Sequence, residues 1–302
     1  MKLVVFLNLI RWKNLLLIIY VQIIFKFVLF PSYNLTTNLS IVEFLILLTS
    51  VVFITAAGNI INDIFDLKSD LINKPKRVIV SRSFSIEKSK QIYLWVNSIG
   101  LILGIGLTLH IEKPTFSFIF IGTSLLLYYY SKKLKQKPLI GNLIVSFLIA
   151  FSIILLIIFD LNTPIKSKNQ EFIIQFIYVL SFFAFSINLI RELVKDIEDV
   201  NGDYKMNMNT LPILIGRKRT RNIVLSLLFI PLLVLVYIII KTPVKNDLIL
   251  FYLWGFSVLP LAYCIVKLRV AKSKKEYKRI SNILKIIMFL GISSIIIYSI
   301  KY

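Results

Sequence analysis

Long apolar runs alternate with short basic or acidic segments along the chain, and the runs set its architecture. A transmembrane helix needs about 20 predominantly apolar residues. Nine stretches meet that description, near 14–31, 41–61, 91–110, 115–131, 139–159, 171–190, 222–241, 248–267 and 283–300. The pattern predicts an all-α, polytopic membrane protein with nine transmembrane helices, taken as a single domain over 1–302. The first stretch follows Arg11 and Lys13. No small-residue cleavage site comes after it, so it reads as a retained span and not as a removed signal peptide.

Composition agrees. Of 302 residues, 57% are hydrophobic and 17% charged, where an ordinary soluble domain carries roughly a quarter charged; mean hydropathy is +0.82. A net charge of +21 raises the question of nucleic acid, but the placement of the charges answers it better. Besides Lys2, Arg11 and Lys13, seven Lys and Arg lie in 62–90, four in 132–137, seven in 191–221 and eight in 267–285. The opposite side carries six: Lys113, Lys166, Lys168, Lys241, Lys245 and Lys301. Positive residues collect on the cytoplasmic side, so the expected topology has the N-terminus inside, the C-terminus outside and the basic face in the cytoplasm, with membrane lipid and not nucleic acid as the partner.

Cys264 is the only cysteine and lies within a span, which leaves neither a disulfide framework nor a cysteine zinc site. His110, the only histidine, falls at the outer end of the third span, so histidine chemistry is not expected. The acids are more telling. Of 15 Asp and Glu, eight fall in two windows: Asp63, Asp66 and Asp70, then Glu192, Asp196, Glu198, Asp199 and Asp203. Both windows stand at inner ends of spans, where nine-span topology puts them on one side of the membrane, free to converge on one site.

Asn59, Asp63, Asp66 and Asp70 step by four, three and four, and Glu192, Asp196, Asp199 and Asp203 repeat the steps. On a helix this keeps the side chains on one face. Like charges so arranged repel, and near a bilayer they are costly unless a cation offsets them. Mg²⁺ is suited: a hard cation that takes carboxylate oxygens and shares its coordination sphere with phosphates. Asn59, Asn62 and Asn188 can ligate through the amide oxygen, or cap helix ends. A transporter with acidic vestibules would place acids deep in spans, whereas only Glu43 falls inside one.

These residues resemble a known family, the UbiA superfamily of intramembrane prenyltransferases. Its signature N-D-x-x-D-x-x-x-D is matched by Asn62, Asp63, Asp66 and Asp70, and D-x-x-D-x-x-x-D by Asp196, Asp199 and Asp203. The usual continuation of the first signature is met by Ile72, Asn73, Pro75, Arg77, Ile79 and Ser81, with Val78, Val80 and Arg82 where proline, proline and glycine are common. After the second, Thr210, Leu211, Pro212 and Gly216 follow the family, and Asn207 stands where glycine is frequent. A Y-x-x-x-K motif fits Tyr129 and Lys133, the favoured register, and equally Tyr128 and Lys132; Arg11 and Asn14 are similar to an opening R-x-x-N segment. Within the superfamily, Arg191, Glu192, Lys195, Asp196, Ile197, Glu198 and Asp199 resemble most closely the R-E-x-x-K-D-I-E-D run of digeranylgeranylglyceryl phosphate synthases.

The resemblance implies Mg²⁺-dependent transfer of a polyprenyl group from its diphosphate to a lipophilic acceptor. The six motif aspartates would hold the metal, and Asp63, Asp66, Asp196, Asp199, Tyr129 and Lys133 would carry the catalysis. Arg11, Asn14, Asn59, Asn62, Arg77, Asn188 and Arg191 would contact substrate. Lys76, Arg82 and Lys135 are candidates for the acceptor's phosphate. The acceptor is a prenylglyceryl phosphate on this reading and an aromatic ring on the alternative one. A CDP-alcohol phosphotransferase is set aside because Leu67, not glycine, follows Asp66.

Overall fold

The computed structural model describes residues 2–161, 165, 167–241 and 247–299. Among them the regular elements are helices, joined by turns and by two isolated bridges, Thr37–Leu161 and Val80–Phe84. They are α1 (Lys2–Leu9), α2 (Trp12–Ser32), α3 (Ile41–Phe65), α4 (Leu67–Asn73), α5 (Ile86–His110), α6 (Ser117–Lys132), α7 (Ile140–Asp160) and α8 (Lys168–Lys205). The rest are α9 (Leu211–Ile215), α10 (Arg217–Lys241), α11 (Leu248–Val270) and α12 (Lys274–Ser299). Each of the nine apolar stretches falls on one of these helices. Among the described residues, eight helices are long and apolar enough to cross a membrane. The remaining stretch, 115–131, forms α6, which has 16 residues and is preceded by the 3₁₀ turn Pro114–Phe116. Lys166, Lys245 and Lys301, assigned to the outer side, lie outside the described residues.

Close contacts divide the chain into two compact units. One takes the chain through Gln22, Asn38–Lys137 and Asn201–Asn207; the other takes Ile23–Thr37, Pro138–Val200 and the chain from Met208 on. In the first, α3 packs against α5 and α6. Gly100 and Gly104, one turn apart on α5, permit it: a Cβ on Gly100 would meet the Ile54 amide nitrogen at 3.0 Å, and one on Gly104 would meet Phe120 Cγ at 2.6 Å. Small residues at this spacing let helices approach closely in lipid, where hydrogen bonds also hold them. Ser50 Oγ supplies one, donating to the Gly100 carbonyl at 2.7 Å. Large apolar side chains such as Trp95, Ile102 and Phe118 are left exposed, as lipid-facing positions require.

Glu43, the one acid that the sequence places inside a span, is the third residue of α3, where it closes a capping box. The Ser40 amide donates to Glu43 Oε2 at 2.7 Å, and the Glu43 amide donates to Ser40 Oγ at 3.3 Å. This satisfies orphan donors of the helix end. His110 Nε2 lies 3.3 Å from Glu43 Oε1, away from the aspartate motifs as expected.

In the second unit, π turns interrupt α2 at Phe25–Leu29 and α11 at Trp254–Val258. Prolines follow both, Pro31 and Pro260. A proline ring clashes with the carbonyl four residues earlier, here that of Phe27 or Phe256, and the wider turn accommodates it. The turn in α2 carries Lys26, whose ammonium donates to Asp160 at 2.9 Å. Their side chains are 6% and 0% exposed. The apolar run ends one residue short of Asp160, so the sequence gives no sign that this carboxylate is buried as the last residue of α7. Removing one partner of such a pair leaves an uncompensated charge and costs about 3–5 kcal/mol. Lys26→Met is expected to lower unfolding stability in detergent by that order, and Lys26→Met with Asp160→Asn by clearly less; equal losses in a denaturant titration would contradict the pairing.

Candidate functional site

The first aspartate motif straddles a helix joint. α3 ends at Phe65, and Asp66, its C-cap residue, begins the turn into α4, with the Asp66 amide donating to the Asn62 carbonyl and the Asp70 amide to the Asp66 carbonyl, both at 2.8 Å. The first motif therefore spans two helical segments, with the four-residue bonds carried across Asp66 at the joint.

Asp63 and Asp66 each meet a cation. Arg11 Nη2 donates to Asp63 Oδ1 at 2.6 Å, and the Lys135 ammonium donates to Asp66 Oδ1 and to Asn62 Oδ1. Arg11 lies at the break between α1 and α2 with φ of 54°. That left-handed conformation costs on the order of 1–3 kcal/mol for a residue other than glycine. Asn59 steadies the break by donating from Nδ2 to the Ile10 carbonyl at 3.0 Å. In this structure Asn59 is thus a clamp on the chain that aims Arg11. The charge of Asp63 pushes the Arg11 guanidinium further above its ordinary range, so it stays protonated.

Asp203, the last residue of the second motif, belongs to the same unit. Ser69 Oγ donates to Asp203 Oδ1 at 3.3 Å, and the Gly202 amide donates to Asn73 Oδ1 at 2.9 Å. The end of α8 thereby lies against α4, and a methyl group on Gly202 would overlap the Asn73 amide. Met206 follows, and Asn207 takes φ of 53°, a conformation that asparagine tolerates better than most residues.

The other residues of the second motif belong to the second unit, on α8, a helix of 38 residues. Asn142 Nδ2 of α7 donates to Asp196 Oδ2 at 2.8 Å, and Lys274 Nζ of α12 is 3.7 Å from Asp199 Oδ1. Glu192 is neutralised from its own helix by Arg191 at 3.1 Å and Lys195 at 2.8 Å. Asn188 Nδ2 donates to Ser146 Oγ at 3.2 Å.

Of the remaining predicted residues, Asn14 donates its amide to the Arg11 carbonyl at 2.8 Å, and Arg77 is exposed on the 3₁₀ turn Pro75–Arg77. Tyr129 is 52% exposed, with its ring against Tyr128, and Lys133 is exposed. The structure brings Lys135, not Lys133, onto the first motif. Lys133 is the C-cap of α6, with φ of −139°, and the following 3₁₀ turn Leu134–Gln136 swings Lys135 inward. Sequence reasoning also missed Ser69, Asn73, Asn142 and Lys274. Of these only Asn73 carried a signal, as part of the segment after the first motif.

The donor chemistry fits a hard divalent cation. The motif side chains offer carboxylate and amide oxygens. Asn188 Oδ1 is a buried acceptor with no hydrogen-bond partner, a state that is costly until a donor or a cation reaches it. Among the described residues no three acidic, histidine or cysteine side chains are drawn around a single point; the carboxylates are turned toward protein donors instead.

The comparisons with known proteins decide the family. The model of the UbiA prenyltransferase family matches residues 25–292. The chain belongs to the UbiA prenyltransferase family. Two digeranylgeranylglyceryl phosphate synthases are among its relatives. That of Methanobrevibacter smithii is 36% identical over 72% of this chain and 77% of its own length. That of Methanocaldococcus jannaschii is 32% identical over 99% of this chain and 98% of its own. A solved structure of a digeranylgeranylglyceryl phosphate synthase covers 100% of this chain and 99% of its own, at a TM-score of 0.65 and 26% identity. A UbiA homolog from Archaeoglobus fulgidus bound to GPP and Mg²⁺ covers 96% and 99%, at a TM-score of 0.61 and 14% identity, and shows the shared fold. This UbiA-family chain is an integral membrane prenyltransferase.

Two outcomes follow from the geometry. Gly202→Ala forces Asn73 aside and is expected to cut prenyl transfer about tenfold or more while the protein still elutes as a folded species in detergent; wild-type turnover would show that the α4 contact is dispensable. Burial, reinforced by the Asp66 carboxylate, holds the Asp70 carboxyl up at about 6. A group that binds its proton more tightly when folded favours the folded state at low pH. That contribution is lost as pH rises from the ordinary value of 3.8 through about 6. Melting temperatures in EDTA are expected to fall across this window, and Asp70→Asn to flatten the fall.

Proposed function

We propose that this prenyltransferase moves a geranylgeranyl group from geranylgeranyl diphosphate to the free hydroxyl of a geranylgeranylglyceryl phosphate, the second ether-forming step of an isoprenoid lipid. The observation that carries the chemistry is the pair of complete aspartate motifs, touching where Ser69 donates to Asp203. The choice of acceptor rests on likeness along nearly the whole chain to the digeranylgeranylglyceryl phosphate synthase of M. jannaschii.

In this reading Asp63, Asp66, Asp70, Asp196, Asp199 and Asp203 would hold Mg²⁺, and a UbiA homolog from A. fulgidus is bound to GPP and Mg²⁺. The bound ion supplies charge stabilisation to a departing diphosphate. The allylic C–O bond breaks with its electron pair leaving on the diphosphate, the acceptor oxygen bonds to the allylic carbon, and the hydroxyl proton is released. Arg11, Arg77, Lys133 and Arg191 complement the diphosphate oxygens. Arg191 has a buried Nε–H with no acceptor, a donor in readiness for an anion, and arginine suits bidentate contact with phosphate. Tyr129 donates a hydrogen bond to the leaving group, and Asn14, Asn62 and Asn188 bind through their amides. The apolar helices exclude water from the allylic cation. The basic ends of the helices, and the site with them, face the cytoplasm of a cell membrane.

Labelled geranylgeranyl diphosphate, offered to purified protein with geranylgeranylglyceryl phosphate or with hydroxybenzoate, homogentisate or dihydroxynaphthoate, tests the acceptor. Label is expected in the diether lipid alone, and transfer confined to a ring would replace this assignment. Asp63→Ala and Asp196→Ala are each expected to lower turnover by at least about a hundredfold with membrane insertion intact; full activity in either removes that residue from the metal set.

A further inference from the structure

Lys135 and Arg11 occupy carboxylate oxygens of the first motif. Lys135 bonds Asp66 and Asn62 together, Arg11 bonds Asp63, and all five residues lie within the first unit. The Lys135 side chain is only 9% exposed, so this is not a solvated surface lysine that visits the motif in passing. A divalent ion on Asp66 and Asn62 competes with the ammonium for the same two oxygens. Two cations cannot share those oxygens cheaply at a partly buried site, where charge repulsion is screened far less than in water.

Displaced alone, Lys135 would be a largely buried ammonium without its carboxylate, and an uncompensated charge of that kind is expensive. A diphosphate arriving with the ion removes the difficulty, because its oxygens accept the ammonium that the carboxylate gives up. Arg11 stands in the same relation to Asp63. Its backbone is fixed by the Asn59 clamp on Ile10, so its guanidinium has to exchange partners by side-chain rotation.

We infer that Lys135, with Arg11, is a resident counterion of the first motif that is exchanged for the divalent ion and passed to the diphosphate, so that the protein takes up metal and diphosphate together and not metal first. This rests on the proposed transferase reading. It makes Lys135 a positioning residue whose effect shows in the coupling between two ligands. Coupling of this kind is reciprocal, and typical values change affinity by about 5- to 150-fold.

Mn²⁺ titrations followed by electron paramagnetic resonance, on the full chain in detergent with and without inorganic pyrophosphate, test it. Wild-type protein is expected to bind Mn²⁺ alone weakly and about tenfold or more tightly with pyrophosphate. Lys135→Met frees the Asp66 carboxylate, so it is expected to bind Mn²⁺ alone more tightly than wild type and to lose most of the gain from pyrophosphate. Lys135→Arg keeps the charge and should restore the coupling, while Lys90→Met, at an exposed lysine in the first turns of α5, should leave Mn²⁺ binding unchanged. Thermal melts of each variant establish that it is folded. Pyrophosphate-dependent Mn²⁺ binding that is identical in wild type and Lys135→Met would overturn the counterion role and leave the transferase reading standing. Absence of Mn²⁺ binding in every arm would overturn both.

Discussion

A carboxylate at the edge of an apolar helix bundle keeps its charge only when a cation or a set of donors stands against it. That constraint runs through the molecule. Asp63 has Arg11, Asp66 has Lys135, Asp160 has Lys26 and Asp199 has Lys274, while Asp196 is held by the Asn142 amide. Each partner comes from a different element of the chain than the acid it serves. Neutralising the acids therefore also ties elements together: the start of α2 to α3, the turn after α6 to α3, α7 to α2 and to α8, and α12 to α8. The motif aspartates are among the polar joints within each unit, and a change at one of them alters packing and charge at once.

How much of this was legible in the sequence depends on whether the deciding interaction is local. The helices were legible because lipid demands long apolar runs whatever their inner contacts, so each run fell on a helix. The acid windows were legible because matched spacing in a chain poor in acids stands out. Partners were not. Lys26 and Asp160 are 134 positions apart, and nothing local marks them as a pair. The Tyr–Lys motif conceals a partner of another kind. The helix ends at Lys133, one turn after Tyr129, and the turn that follows presents Lys135 to Asp66.

The prolines show the same division. Pro31 and Pro260 are plain in the sequence, and a kink near each is the default expectation. The chain answers with a π turn in both cases, which keeps the helix running while shifting the residues on either side of it around the axis. In α2 the turn itself holds Lys26, the partner of Asp160. A proline that reads as a defect thus helps to place a buried charge, a result that depends on the backbone's response and not on the residue type. The Gly100 and Gly104 pair was equally visible, but small residues acquire meaning only when the facing helix is known, here the Ile54 backbone and the Phe120 ring.

Among the left-handed residues of the first unit, Arg11 and Asn207 point to where precision is demanded. Asn207 sits just past α8, at a position where the resembled family often has glycine, and asparagine is the next best choice for that conformation, so strain there is small. Arg11 has no such excuse: a long cationic side chain gains nothing from φ of 54° in itself. The Asn59 hydrogen bond to Ile10 fixes the chain one residue earlier, and with that carbonyl held the guanidinium is directed at Asp63, one helical turn beyond Asn59. An unstrained backbone at residue 11 would send the same side chain elsewhere. The energy stored in that bend is thus spent on aim, and Asn59 acts on the first motif through the direction it gives to Arg11.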